Sequence, residues 1–295
     1  MNEALAVPLP AARRRGRARA AWRAYAASRS GVIGLVMLAV IAAAALLAPA
    51  LAPSDPFALG AARFLRPGAE GHPLGTDHLG RDVLSQILYG ARLSLTIGFV
   101  AAGIAAVVGI VVGSIAGYFG GWVDVILSRI TDMFLIIPAF FLIIVVVATL
   151  GNGIIYVMVV IGLTSWPTNA RLMRAQVLTL RERTFVQALV ALGESRSRIL
   201  LRHIVPNGIQ PIIANSTLQI ASAILIEAGL SFLGLGDPNK ASWGRMINDE
   251  RASIMTAWWP SVFPGIAILV TVLAFYLIGD GLAQALSPRE RQSGT

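Results

Sequence analysis

Apolar runs of membrane-spanning length alternate with short polar breaks along most of the chain. Residues 31–51 read GVIGLVMLAVIAAAALLAPAL without a single charge, and about 20 such residues cross a ~30 Å hydrocarbon core as a helix. Further runs cover 92–118, a third stretch ending at 150, a fourth opening at 154, a fifth from 206 to 234 and a sixth from 258 to 282. The pattern predicts an all-α, polytopic membrane protein with six transmembrane helices. Its parts are a basic tail (1–30), a first transmembrane helix (31–52), an outer loop with an interfacial helix (53–91), a core of five helices (92–284) that includes a charged amphipathic loop (181–205), and a tail (285–295). In the outer loop Asp77 is expected to cap a helix whose Val83, Leu84, Ile87 and Leu88 form one apolar stripe at the membrane surface. Gly109, Gly113 and Gly117 form two overlapping small-xxx-small pairs that let helices approach closely. Trp166-Pro167 should bend the fourth span, because proline removes a backbone bond.

Composition agrees with the pattern. The chain is 56% hydrophobic and 13% charged, with mean hydropathy +0.72, where a soluble domain carries about 25% charged residues. The apolar surplus has to face lipid, and intrinsic disorder is excluded. Ala50-Leu51-Ala52 resembles a signal-peptide cleavage site, but the long basic region before it, the length of the apolar run and Pro53 favour an uncleaved signal-anchor.

The net charge of +9 is unevenly spread. With the N-terminus in the cytoplasm, only Arg63, Arg66, Arg81, Arg92, Lys240, Arg245 and Arg251 of the 24 basic residues fall outside. This is the positive-inside bias, and it places both termini, the 119–123 turn and the 181–205 loop in the cytoplasm. It is not a nucleic-acid footprint. Trp243, Trp258 and Trp259 are expected in the outer aromatic belt. The absence of cysteine excludes disulfides and thiolate chemistry. His72, Asp77 and His78 could be weighed as metal ligands, but with no thiolate and no helical histidine pair a cap and turn is the expectation, and no metal site. No catalytic residue is expected: His203 has no serine or aspartate arranged with it, and no G-x-x-x-x-G-K-[ST] loop exists to cradle ATP.

The most informative stretch is 184–207, TFVQALVALGESRSRILLRHIVPN. Phe185, Leu189 and Leu192 recur at helical spacing. Gly193 then stands where a left-handed C′ residue is wanted, Ser195 can cap a second short helix, and Pro206 can take the first turn of the next span. A helix–Gly–helix flanked by arginines cannot lay its apolar stripe in lipid, so a soluble partner is expected to cover it. Within the spans, Glu227 is the one acid deep in an apolar run. Such a charge costs about 2.5–3.5 kcal/mol on insertion scales, so it either bonds a neighbouring helix or serves the pathway or outer gate. Asn215, Gln219 and Ser222 share one helix face, and either line a polar pathway or hydrogen-bond between helices.

The spacing Gln187-Ala188-Leu189, Gly193, Pro206-Asn207 resembles the EAA loop of ABC importer permeases, with Gln187 where that family favours Glu and Leu189 where it favours Ala. The segments HPLGTDHLGRDVLSQILYGARLSL (72–95) and LIEAGLSFLGLGDP (225–238) are similar to signatures of the dipeptide/oligopeptide/nickel permease family, in the subunit with a short outer loop after its first span. The resemblance implies a type I ABC importer permease fold in a bacterial cytoplasmic (inner) membrane, forming half of the pathway for peptides or another small solute such as nickel. It implies a homologous second permease, two ATP-binding subunits that carry ATP and Mg, and an extracytoplasmic substrate-binding protein, with no cofactor on this chain. Phe185, Gln187, Ala188, Leu189, Leu192, Gly193, Pro206 and Asn207 would couple to the ATPase, and Asn215, Gln219, Ser222 and Glu227 are candidates for the pathway or gate. A passive channel would not need a docking loop, and an intramembrane enzyme would need a nucleophile–base pair or metal cluster that the sequence lacks.

Overall fold

The computed structural model describes residues 22–69 and 71–286. Most of both expected tails, 1–21 and 287–295, lies outside the described residues. Among the described residues every regular element is helical, and only isolated bridges occur in the loop at 69–82. The principal helices are α1 (Arg29–Leu46), α2 (Val83–Phe119), α3 (Gly121–Ile136), α4 (Ala139–Leu150), α5 (Ile154–Arg181), α6 (Thr184–Ala191), α7 (Gln210–Phe232), α8 (Trp243–Glu250) and α9 (Trp259–Leu286). In hydrocarbon a helix is the way for one segment to satisfy its own backbone. Among the described residues α1, α2, α7 and α9 are long and apolar enough to cross a membrane, and α3 with α4 makes a fifth span if counted as one. The expected sixth is α5, whose second half turns polar at Asn169, Arg171 and Arg174.

Three boundaries differ from the sequence expectation. The outer loop ends at Asp82, and the surface helix expected before residue 92 is the first part of α2, one unbroken helix of 37 residues. At ~1.5 Å per residue it is roughly 55 Å long and projects beyond a hydrocarbon core. Its cap is Asp82, whose side chain accepts from the Ser85 amide at 2.7 Å, and not Asp77. The third span is broken by 83° between α3 and α4, where Pro138 has no amide to continue the ladder. The fifth span opens at Gln210 with Pro211 in its first turn, because the chain is interrupted at Ile209 after a short helix at Val205–Gly208. Pro167 lies inside α5, which continues on both sides of it.

The seam between α2 and α5 is built on the glycines of the small-xxx-small run. A Cβ at Gly109 would overlap Asn169, one at Gly113 the Ala170 carbonyl oxygen, and one at Gly117 would come within 2.9 Å of the Arg174 carbonyl oxygen. The helices leave the chain with two distinct ends. At one, Ser30 meets Asp280 at 3.0 Å and Arg181 Nη1 donates to the Gly117 carbonyl at 3.2 Å. At the other, Asn152 donates to the Gly236 carbonyl at 3.1 Å, and Trp259 Nε1 to that of Thr76 at 3.1 Å. The first is called the arm end below, and the second the cap end. The start of α1, the turn at Gly120 and the end of α9 therefore share the arm end with 181–205.

Candidate functional site

At the arm end, α6 closes on a tight hydrogen-bonded turn. The Gly193 amide donates to the Val190 carbonyl and the Glu194 amide to that of Leu189, with Gly193 at φ +77°. This is a Schellman turn, in which the left-handed residue is C′. Ser195 takes the next N-cap position without a side-chain bond, and the chain returns through Arg196–Ile199, a wider turn at Leu200–Ile204 and Val205–Gly208. The arm is rooted by Val186, Ile199 and Ile204, all buried against Met173 and Val177 of α5 and Ile212 of α7.

The apolar face is divided differently from the expected stripe of Phe185, Leu189 and Leu192. Leu189 turns inward and packs against the root, because the arm must bury one side of α6 to hold its angle. Phe185, Val190, Leu192 (81% exposed) and, on the returning helical turn of the arm, Leu201 (68% exposed) present apolar surface outward. Gln187 and Ala188 are exposed between them, and Gln187 Nε2 makes only a long 3.4 Å bond to the Glu182 carbonyl. Pro206 and Asn207 are exposed, with Asn207 donating to the His203 carbonyl at 2.6 Å. A recess of about 530 Å³ opens beside the arm between Tyr118, Phe119, Val190 and Arg196. Glu194, half-buried at the joint, lies 3.9 Å from Arg198 and 3.6 Å from His203. Sequence reasoning missed Val186, although its spacing three residues before Leu189 marks it as part of the inward face.

The polar residues at membrane depth do not form one group. Asn169 of α5, fully buried, donates to Gln219 Oε1 at 2.7 Å and accepts from Asn215 at 2.9 Å, while Gln219 donates to the Ser165 carbonyl at 3.0 Å. Asn215 and Gln219 thus tie α7 to α5. Ser222 is exposed and, among the described residues, bonds only the Leu218 carbonyl of its own helix. Glu227 is 3% exposed, and its Oε1 accepts from Ser231 and from Ser242, each at 2.7 Å. Since Ser242 precedes α8, Glu227 tethers the cap end of α7 to the cap.

The cap itself is a knot of polar side chains. Asp77 accepts from the Leu79 and Arg81 amides, from Arg81 Nε at 2.5 Å and from Gln86 at 3.0 Å. His72 and His78 do not converge: His72 bonds Asp82 at 2.9 Å, and His78 bonds Glu250 at the end of α8. Trp243 and Trp259, expected in an aromatic belt, are buried, and only Trp258 is half exposed. Trp243 sits over Gly90 and donates to the Ile87 carbonyl at 3.1 Å, because α8 folds back onto α2 and α7.

Comparison with known proteins adds to this geometry. Residues 109–292 match the family described as binding-protein-dependent transport system inner membrane component. Residues 16–67 match the N-terminal TM domain of oligopeptide transport permease C. The chain is 39% identical over 272 residues to the dipeptide transport system permease protein DppC of Alkalihalophilus pseudofirmus, covering 92% of this chain and 90% of that one. It is 45% identical over 219 residues to the glutathione transport system permease protein GsiD of Escherichia coli strain 536, covering 74% and 72%. A chain of the MetNI methionine ABC transporter in an inward-facing conformation superposes with TM-score 0.55 at 17% identity, covering 68% of this chain and 96% of that one. At that identity the likeness concerns the fold.

Proposed function

The chain belongs to the family of binding-protein-dependent transport system inner membrane components, and from that premise we propose that it forms one half of the translocation pathway of an ATP-driven peptide importer and is coupled to its motor through residues 184–207. It is a multi-pass inner-membrane permease subunit of an ABC importer and not an enzyme. The observation that carries the coupling reading is the arm, whose root is buried and whose outward face of Phe185, Leu192 and Leu201 is left exposed among the described residues. An apolar face at the polar end of a membrane bundle needs a soluble partner. An ATP-binding subunit fits, because this chain has no phosphate-cradling loop of its own.

In this reading Phe185, Gln187, Ala188 and Leu192 contact the ATP-binding subunit, Gly193 sets the angle of the joint, and Pro206 and Asn207 carry its displacement into α7. A homologous permease completes the pathway, a second ATP-binding subunit completes the motor, and an extracytoplasmic binding protein delivers the cargo. ATP and Mg remain on the motor subunits. Closure of the motor pulls the arms and rocks the bundles between the two faces of the membrane. Peptide cargo is supported by the dipeptide and glutathione permeases among the relatives.

The complex reconstituted in vesicles should accumulate a labelled dipeptide only when ATP and the binding protein are both supplied. Uptake that persists without ATP would overturn the importer reading. For the orientation, the cysteine-free sequence offers a direct measurement: Leu201→Cys should resist an impermeant thiol reagent applied to intact cells, and Leu59→Cys in the cap should react. The reverse pattern would invert the topology.

A further inference from the structure

Four carboxylates crowd the cap around two guanidiniums. Arg81 serves Asp77 and, at 3.4 Å, Asp249, and Arg245 approaches Asp249 at 3.6 Å. Asp82 is satisfied by Ser85 and His72. Glu250 is different. It is 1% exposed, pairs with no arginine among the described residues, and its Oε2 has no hydrogen-bond partner there. A buried carboxylate left in that state is strongly unfavourable unless a positive charge or further donors compensate it. Its one partner is His78, whose ring Nδ1 lies 2.5 Å from Oε1 and whose amide donates to the same oxygen at 3.1 Å. Ligand atoms on Asp77, His78 and Glu250 all fall within 4.8 Å of one another.

We propose that Asp77, His78 and Glu250 hold a divalent cation of the Zn²⁺ class that staples the 72–82 loop to α8. Mixed imidazole and carboxylate donors suit borderline cations of this kind. His78 supplies the Nδ1 lone pair, with its proton on Nε2. Glu250 supplies the oxygen that lacks a partner. Asp77, whose oxygens are all engaged, joins by releasing Gln86, and water takes the fourth position. His78 is about one-third exposed, which gives the ion a route from solvent. The ion also offsets the excess of Asp77, Asp82, Asp249 and Glu250 over Arg81 and Arg245. His72 takes no part, since its Nδ1 is bonded to Asp82, and His203 is at the arm end.

The test uses the full-length chain purified in detergent, stripped with a chelator and titrated calorimetrically with ZnCl₂ alone, with Co²⁺ absorption as a geometric readout. One Zn²⁺ per chain is expected, together with a rise in melting temperature. His78→Gln and Glu250→Gln should each weaken binding by roughly 10–100-fold or more, while His72→Gln leaves it unchanged. His78→Gln, at a part-exposed position, keeps a foldable protein in which the loss is measurable even if Glu250→Gln aggregates. Absence of saturable Zn²⁺ binding by the wild-type chain, or undiminished binding in His78→Gln, would overturn the proposal.

Discussion

At the cap end Asp77, Asp82, Trp243 and Trp259 all find their hydrogen-bond partners inside the chain; at the arm end Phe185, Leu192 and Leu201 turn apolar surface outward. Both regions are segments between long helices, so their place in the chain does not explain the contrast. Apart from the free Oε2 of Glu250, the cap pairs these polar groups within the described residues, because they would otherwise be stranded beside apolar helix ends. The arm is built to a different specification: one side is fixed by Val186 and Ile204, and the other, in the function proposed above, is left for a surface that another chain supplies.

Substitutions at two glycines break the contrast most sharply. A Cβ at Gly244 would overlap the Ala228 carbonyl oxygen, so Gly244→Val must push α8 off α7. Overpacking of this kind costs roughly 1–3 kcal/mol, and the expected outcome is a lowered melting temperature and loss of folded protein on size exclusion. Gly193→Val meets open space but a left-handed backbone. Its strain of about 1–3 kcal/mol is confined to the arm, so global melting should stay near wild type while the ATPase subunits dissociate or hydrolyse ATP without transport. If Gly193→Val leaves co-purification and uptake normal, the arm is not the coupling element. Glu227→Gln is the mildest change. Its amide oxygen can still accept from Ser231 and Ser242, so both yield and uptake should remain near wild type if Glu227 serves as a tether. Loss of uptake at normal yield would instead assign it to the pathway.

The sequence made the arm's joint readable because Gly193 answers a local requirement, a positive φ after a short helix, that spacing alone reveals. A close helix approach along Gly109, Gly113 and Gly117 was readable for a related reason, since only small side chains there allow it, but not that α5 is the partner. What escaped was decided by distant partners. His78 and Glu250 are separated by 172 positions, and no local pattern links them. Asp77 and Asp82 both precede an apolar run, and the choice between them as cap depends on Ser85 and on the Arg81 bond that occupies Asp77. Asn215 and Gln219 could be placed on one face, but only the position of Asn169 on α5 turns that face toward another helix.

The unbroken α2 joins the two ends as one solid rod. It begins at Asp82 in the cap and ends at Gly120, beside Arg181 at the root of the arm. In a rod roughly 55 Å long, a tilt of about 10° pivoting at one end sweeps the other through roughly 10 Å. A small rotation near the arm thus becomes a displacement at the cap as large as a helix diameter. It needs no relay of side-chain rearrangements through the interior, because the stiffness of one element carries it.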